Sequence, residues 1–316
     1  MPEAPSTWSL AHGRSLVFDR PRIVAILNTT PDSFHEASRT GGVDEAVDRA
    51  NCFADDGADM LDIGGESTRP GAERVPAAEQ VRRVVPVIRA IRESPGPASG
   101  LPISVDTTLA EVAREAILAG ADAINDVASG SEDDAVFALA AEHGAGLILM
   151  HRLRPPDADS YSDRYETPPA YADVVAEVRS FLQDRAAAAI RAGVAPASIV
   201  LDPGLGFGKT VEQNFELIAR TAELAAMGYP VMSAASRKSF IGAAASPGRE
   251  TAPAERLAGS LAVSIEHARR GARLLRVHDP KEHAEALRVV LAIGGAEAST
   301  GGEAGSGLSS ELPSGL

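Results

Sequence analysis

Two periodicities alternate along this chain. Short apolar runs bounded by turn residues recur between about residues 22 and 293, and between them lie longer segments in which apolar residues return every three or four positions. The first pattern reads as buried strands and the second as amphipathic helices. The strand candidates are Arg22–Leu27, Met60–Ile63, Pro102–Val105, Ala123–Ile124, Gly146–Leu149, Ser198–Leu201, Pro230–Met232 and Arg273–Arg276. Helical segments include Val43–Asp56, Ala77–Glu93, Leu109–Ala119, Tyr171–Ala192, Val211–Met227 and Pro253–Arg270. Gly120, Gly144, Gly193 and Gly228 stand where helices should stop, and Thr251 with Pro253 marks a helix start. Eight strands, each followed by a helix, predict an α/β protein of the (β/α)8 TIM barrel class. A doubly wound open sheet is the rival, but no Gly-x-Gly-x-x-Gly follows the first strand.

A polar residue stands at every predicted strand end, where a barrel of this class carries its site. In order these are Asn28, Asp62, Asp106, Asn125-Asp126, Met150-His151, Asp202, Ser236-Arg-Lys-Ser239 and Arg276-Val-His278. At Asp202 an apolar run delivers a carboxylate into Pro-Gly-Leu-Gly-Phe-Gly-Lys209, a turn whose glycines let backbone pass close to a ligand. Asp106, Asn125 and Asp202 form a set of acceptors and one amide donor suited to a flat heterocycle with amino and lactam edges, such as a pterin. Helix capping or a structural ion pair is the alternative for any single aspartate. Arg69, Lys238 and the Arg276/His278 pair form a basic set. Side chains two apart on an extended segment point the same way, so the pair suits an oxyanion such as phosphate; a salt bridge to a helix is the alternative for Arg276. Asn28 suits a Mg2+ held mainly by diphosphate. No histidines have zinc-ligand spacing, His143 and His283 read as structural, and His151 is open between structure and ligand contact.

Composition narrows the partners. Aromatics are 4% of 316 residues and the hydrophobic fraction is 44%, so the core should be aliphatic. A formal charge of −14 argues against nucleic acid or an acidic membrane surface as partner. Cys52 is the one cysteine, expected inside a helix as a small core residue, so no intrachain disulfide is expected. No apolar run is long enough to cross a membrane and the N-terminus lacks a secretion-signal pattern, which together suggest a cytoplasmic protein. The expected organisation is an N-terminal extension over residues 1–20, the barrel over 21–293, and a disordered Gly/Ser/Glu-rich tail over 294–316. The polar segment Arg152–Pro169, with four prolines, is either a functional loop or a mobile excursion.

Seven motifs, in order, carry a resemblance to dihydropteroate synthase, a pterin-binding TIM-barrel family. They are Leu27-Asn-Thr-Thr-Pro-Asp-Ser-Phe34, Asp62-Ile-Gly-Gly-Glu-Ser-Thr-Arg-Pro-Gly71, Ser104-Val-Asp-Thr107, Ile124-Asn-Asp-Val127, Asp202–Lys209, Ser236-Arg-Lys-Ser239 and Arg276-Val-His-Asp279. The resemblance implies a cytoplasmic transferase of folate biosynthesis, the class of enzyme that sulfonamides target. It would join 4-aminobenzoate to 6-hydroxymethyl-7,8-dihydropterin diphosphate, giving 7,8-dihydropteroate and pyrophosphate. It further implies a homodimer. Asp106, Asn125, Asp202 and Lys238 would hold the pterin, and Asn28, Arg276 and His278 the diphosphate, with Mg2+ at Asn28. Thr68, Arg69, Pro70, Phe207, Lys238 and Ser239 would frame the aminobenzoate. Lys238, Arg276, His278 and Asp106 would carry the catalysis, and Phe34 and Glu36 would lie in a closing loop.

The chain departs from the family pattern in three places. His35-Glu-Ala-Ser38 replaces a Ser-Asp-Gly-Gly stretch, Ala234-Ala235 stand where a glycine precedes Ser-Arg-Lys, and Arg152-Leu-Arg154 replaces Met-x-Gly before a longer loop. Two other readings stay open on sequence. One is a pterin-binding paralogue without synthase activity, motivated by the altered first loop. The other is a methyltetrahydrofolate-corrinoid methyltransferase, a class with no use for a diphosphate grip.

Overall fold

The computed structural model describes residues 5–29 and 41–303, with side chains for 5–29 and 42–294. Two short antiparallel strands come first, β1 (Thr7–Ser9) and β2 (Ser15–Val17). Eight parallel strands follow: β3 (Arg22–Asn28), β4 (Met60–Gly64), β5 (Ile103–Asp106), β6 (Ala123–Asp126), β7 (Gly146–Met150), β8 (Ile199–Asp202), β9 (Val231–Ser233) and β10 (Ala272–Val277). They close into a barrel in chain order, β10 pairing with β3. The connections carry α1 (Gly41–Asp55), α2 (Ala77–Glu93), α3 (Ala110–Leu118), α4 (Ala135–His143), α5 (Val174–Arg191), α6 (Val211–Ala219), α7 (Thr221–Ala225), α8 (Ser239–Ala245) and α9 (Leu257–Arg269), with α10 (Pro280–Glu303) last. This is the (β/α)8 barrel that the alternation of strands and helices predicts.

Alternation by two explains where the core sits. Odd-numbered strand residues such as Ala25, Leu27, Leu61, Ile63, Ile103, Val105, Leu147, Leu149, Ile199 and Leu201 face outward and join the helices in the main core. Val24, Met60, Ile148, Val200, Met232 and Leu274, with Ala123 on β6 where the phase is shifted by one, fill the lower interior, together with Trp8, Leu10, Leu16 and Phe18 of the N-terminal segment. The extension is therefore part of the fold. Trp8 is fully buried and its indole N–H donates to the Ser198 carbonyl at 2.8 Å. Gly146 makes room for it: a Cβ there would lie 2.6 Å from Leu10 and 2.8 Å from the Trp8 ring. Without this plug the apolar floor of the barrel would meet water.

Several local expectations change. Gly120, Gly144, Gly193 and Gly228 do have positive φ, as helix stops require. Val211–Met227 is two helices rather than one, broken at Arg220, where Thr221 turns its hydroxyl back onto the Leu217 and Ile218 carbonyls. Thr251 is not a cap; its hydroxyl accepts from Arg256 Nε at 2.9 Å, and Ala252 holds the cap position of the short 3-10 turn Pro253–Arg256. Cys52 is exposed, not core: α1 buries Ala46, Ala50 and Phe53, and Cys52 falls off that stripe. The last helix continues to Glu303, past the boundary expected at 294.

Candidate active site

Strand register gathers the polar residues. Asn28 pairs with Gly64, Gly64 with Asp106, and Asp106 with Asn125, so one row crosses four adjacent strands at the C-terminal mouth. One step lower, Asp62 pairs with Ser104. Asp62 is the hub of the site. Its carboxylate accepts from Ser104 Oγ at 2.6 Å, Asn125 Nδ2 at 3.2 Å and Arg276 Nε at 2.6 Å. A second Arg276 nitrogen reaches Asp106 Oδ2 at 2.7 Å. Because Asp62 can only accept, the Asn125 amide must turn its N–H2 toward it and its oxygen away. Among the described residues, Asn125 Oδ1 and Asp106 Oδ1 are buried without a partner. Buried polar atoms are nearly always paired, so two orphans side by side mark where a ligand's donors belong. At Gly64 a Cβ would lie 3.5 Å from Asp106 and 3.7 Å from Asn28 Oδ1, so those two groups flank it at ordinary contact distance.

Electrostatics follows from this packing. Burial raises the Asp106 carboxyl, with Arg276 pulling it down and Asp62 pushing it up. Burial likewise raises Asp202, against the opposing charge of Lys238. Burial disfavours the Arg276 charge, but Asp62 and Asp106 outweigh it and hold the guanidinium ionised. Burial, then Arg276 and Arg237, depress His278 to about 3. The imidazole is therefore neutral. Ser236 Oγ, which accepts from the His278 backbone N–H at 3.2 Å, can donate to Nδ1 at 3.2 Å, leaving the proton on Nε2.

The turn after β8 is built around Lys209. This lysine is fully buried and donates to the Gly204 carbonyl at 2.9 Å and the Phe207 carbonyl at 2.8 Å, with His151 Nδ1 at 2.9 Å. Burial lowers the lysine to about 7 and His151 to about 2, so the histidine is neutral and its Nδ1 accepts a hydrogen bond from the lysine. His151 therefore belongs to the turn's support. Gly204 cannot carry a side chain, since a Cβ would sit 1.7 Å from the His151 carbonyl oxygen at φ +68. Asp202 accepts from Gly204 N at 2.7 Å. The Phe207 ring lies 4.2 Å beneath Lys238 Nζ, which also donates to the Leu205 carbonyl. Burial lowers Lys238 to about 7, with Asp202 supporting its charge and Arg276 opposing it.

The remaining expected residues surround this mouth unevenly. Thr68 and Pro70 are partly exposed and Arg69 is exposed, all in the loop after β4. The Arg69 charge reaches His278 and helps to depress it. Ser239 is the first residue of α8 and is buried. Asp126 points the other way from Asn125 and accepts from Ala128 N and Gly130 N at 2.8 and 2.5 Å, a loop-closing role. Phe34 and Glu36 lie outside the described residues. The sequence placed Asp62 at a strand end without a task; the signal was a carboxylate inside an apolar run, two residues before the strand ends at Gly64. Lys209 also went unassigned, because a lysine after a glycine turn looks solvent-facing.

Three comparisons bear on this geometry. Residues 24–278 match the model of the pterin binding enzyme family. The dihydropteroate synthase of Escherichia coli K12 is 43% identical over 282 residues, 89% of this chain and 95% of that protein, and the Synechocystis enzyme of the same name is 40% identical over 275 residues, covering 87% and 90%. The Xanthomonas albilineans dihydropteroate synthase structure with 4-aminobenzoic acid superposes with a TM-score of 0.80 at 42% identity, covering 91% of this chain and 98% of that one. The Burkholderia cenocepacia enzyme complexed with 7,8-dihydropteroate gives 0.80 at 37% identity, covering 93% and 99%. With the acceptor row, the arginine clamp and the glycine turn all on one barrel mouth, the chain belongs to the dihydropteroate synthase family of pterin-binding enzymes.

Proposed function

We propose that this barrel mouth condenses 4-aminobenzoate with 6-hydroxymethyl-7,8-dihydropterin diphosphate, releasing pyrophosphate. The observation that carries the reading is the pair of orphaned buried oxygens on Asp106 and Asn125 beside a guanidinium held by two carboxylates. Asp106, Asn125 and Asp202 read the amino and lactam edge of the pterin, and Lys238 closes over it. The C–O bond between pterin methylene and diphosphate breaks, and its electron pair leaves with the diphosphate. The electron-rich dihydropterin stabilises the cation, so departure precedes attack. Arg276 and His278 Nε2–H receive the developing charge as preorganised donors. The amine nitrogen of aminobenzoate then forms the C–N bond and loses a proton to the diphosphate or solvent. An arylamine is neutral at pH 7, so no general base and no covalent nucleophile are assigned.

Thr68, Arg69, Pro70, Phe207, Lys238 and Ser239 frame the aminobenzoate, and Phe34 and Glu36 belong to the closing loop. Asn28 fits Mg2+: it offers a hard amide oxygen at the end of the mouth row it shares with Gly64 and Asp106, and magnesium usually takes few protein oxygens and completes its shell with phosphate and water. When bound, the ion would neutralise charge on the diphosphate. Among the described residues no group of three His, Cys, Asp or Glu could hold a metal by itself. No helix among the described residues is long and apolar enough to cross a membrane. A cytoplasmic homodimer is the form we infer. The relatives bear the synthase name, which favours turnover over the non-catalytic paralogue. The test is to incubate the purified protein with both substrates and Mg2+ and follow 7,8-dihydropteroate by chromatography. Product formation supports the reading, whereas pterin binding without product returns the paralogue.

A further inference from the structure

The long segment 152–169 is tied on two sides to loops that frame the aminobenzoate, through Pro156 and Asp159. On one side, the Pro156 carbonyl accepts from Gly71 N at 2.8 Å, next to Thr68-Arg69-Pro70. Arg152, whose side chain is 6% exposed, pairs with Glu132. Glu132 also accepts from both terminal nitrogens of Arg74, at 2.7 and 2.8 Å, and Arg74 meets Glu66 at 3.0 Å. Glu66 and Arg74 flank the loop that carries Arg69. On the other side, Asp159 Oδ2 accepts from Gly208 N at 2.9 Å, the residue after Phe207. Its Oδ1 accepts from Tyr165 OH at 2.6 Å and from Ser160 N at 2.9 Å. Leu153 packs on Gly208 so closely that a Cβ there would approach to 2.3 Å.

We propose that residues 152–169 form a brace that sets the spacing between the Arg69 loop and the Phe207 turn, with Asp159 as its positioning residue. The proposal rests on the synthase reading of this mouth. Asp159 touches neither substrate in that reading; it fixes the peptide that follows Phe207, and through it the ring that walls the aminobenzoate. Of the pterin groups, Asp106 and Asn125 are supported separately, by Asp62, Arg276 and the barrel strands, and Asp202 holds the opposite end of the turn, at Gly204. Loss of the brace therefore loosens one substrate and spares the other. A segment held by a buried carboxylate, a buried arginine and backbone bonds is not a mobile excursion, and its ordering cost is offset by what it positions.

The test is steady-state kinetics of Asp159→Ala against wild type, varying each substrate in turn. We expect the aminobenzoate KM to rise about tenfold, a loss of the size of one good hydrogen bond, while kcat and the dihydropterin diphosphate KM stay within about twofold. Asp159→Asn keeps an oxygen for Gly208 N and offers its amide to Tyr165, giving up only the Ser160 N–H bond, so it should restore the aminobenzoate KM to within about threefold of wild type. An unchanged aminobenzoate KM, or both KM values moving together, overturns the brace. If Asp159→Ala does not fold, Tyr165→Phe and Arg152→Met are read for the same split, and no split in either overturns it. An inactive wild type would instead overturn the synthase reading, so the two failures are distinct.

Discussion

At Asp202 a single carboxylate serves the backbone and the ligand at once. One oxygen accepts from Gly204 N at 2.7 Å, and removing the side chain leaves that buried N–H unsatisfied, at about 1–3 kcal/mol. Asp202→Ala should therefore lower stability by about that amount in urea unfolding, while pterin affinity falls by about a hundredfold or more in calorimetry, because two ligand hydrogen bonds to a charged group go with it. Pterin affinity that survives in the folded variant would remove Asp202 from the site. Asp202, Asp106 and Asn125 were legible in the sequence because each ends an apolar run with a polar residue. The use of Asp62 was not. Its carboxylate meets Arg276 more than two hundred positions away, a pairing that no local spacing reports. The orientation of Asn125 was hidden for the same reason, since it is fixed by Asp62.

Elements were legible to the extent that period and turn chemistry act locally. All eight barrel strands stand where the apolar runs are, and α2 spans Ala77–Glu93 as its apolar stripe predicts. The break at Arg220 escaped because the stripe continues through it, and the break depends on hydroxyl and guanidinium bonding outside that pattern. Segment 152–169 stands as a loop, as its polar, proline-rich sequence indicates, but its anchoring depends on distant partners at Gly71, Glu132 and Gly208. In α9, His267 is fully buried with both ring nitrogens unpartnered among the described residues. Burial, with Arg270 nearby, lowers it to about 4. The unfolded chain takes up the proton first as pH falls, so this contribution is complete above about 6.5 and is lost on the way down to about 4. His267→Leu should lose that dependence and gain on wild type by up to about 3 kcal/mol between pH 7 and pH 4, measured by urea unfolding at each pH. Asp106 and Asp126 titrate with the opposite sign over about pH 4–7, but they are common to both proteins and cancel in the difference. A pH-independent gap would show that His267 is not held neutral.

The whole molecule separates stability from chemistry along the barrel axis. Its floor is closed by Trp8 against apolar inward-facing residues, and its mouth carries the polar members of the same inward rows. Trp8→Ala should cost about 3–5 kcal/mol in denaturant unfolding and leave both substrate KM values unchanged. A KM shift in the folded variant would show the floor and mouth to be coupled. The barrel was readable from the repeated strand–helix unit, whereas the plug was not. Residues 1–20 carry no repeat, and only the closed barrel supplies the apolar floor that makes Trp8 a core residue. The central claim is that this mouth performs diphosphate displacement by an arylamine. Pyrophosphate release, measured with a coupled assay while each component is omitted in turn, tests it most directly. The account predicts release only when 4-aminobenzoate, the dihydropterin diphosphate and Mg2+ are present together; no release from folded protein with all three, or equal release without aminobenzoate, would contradict it.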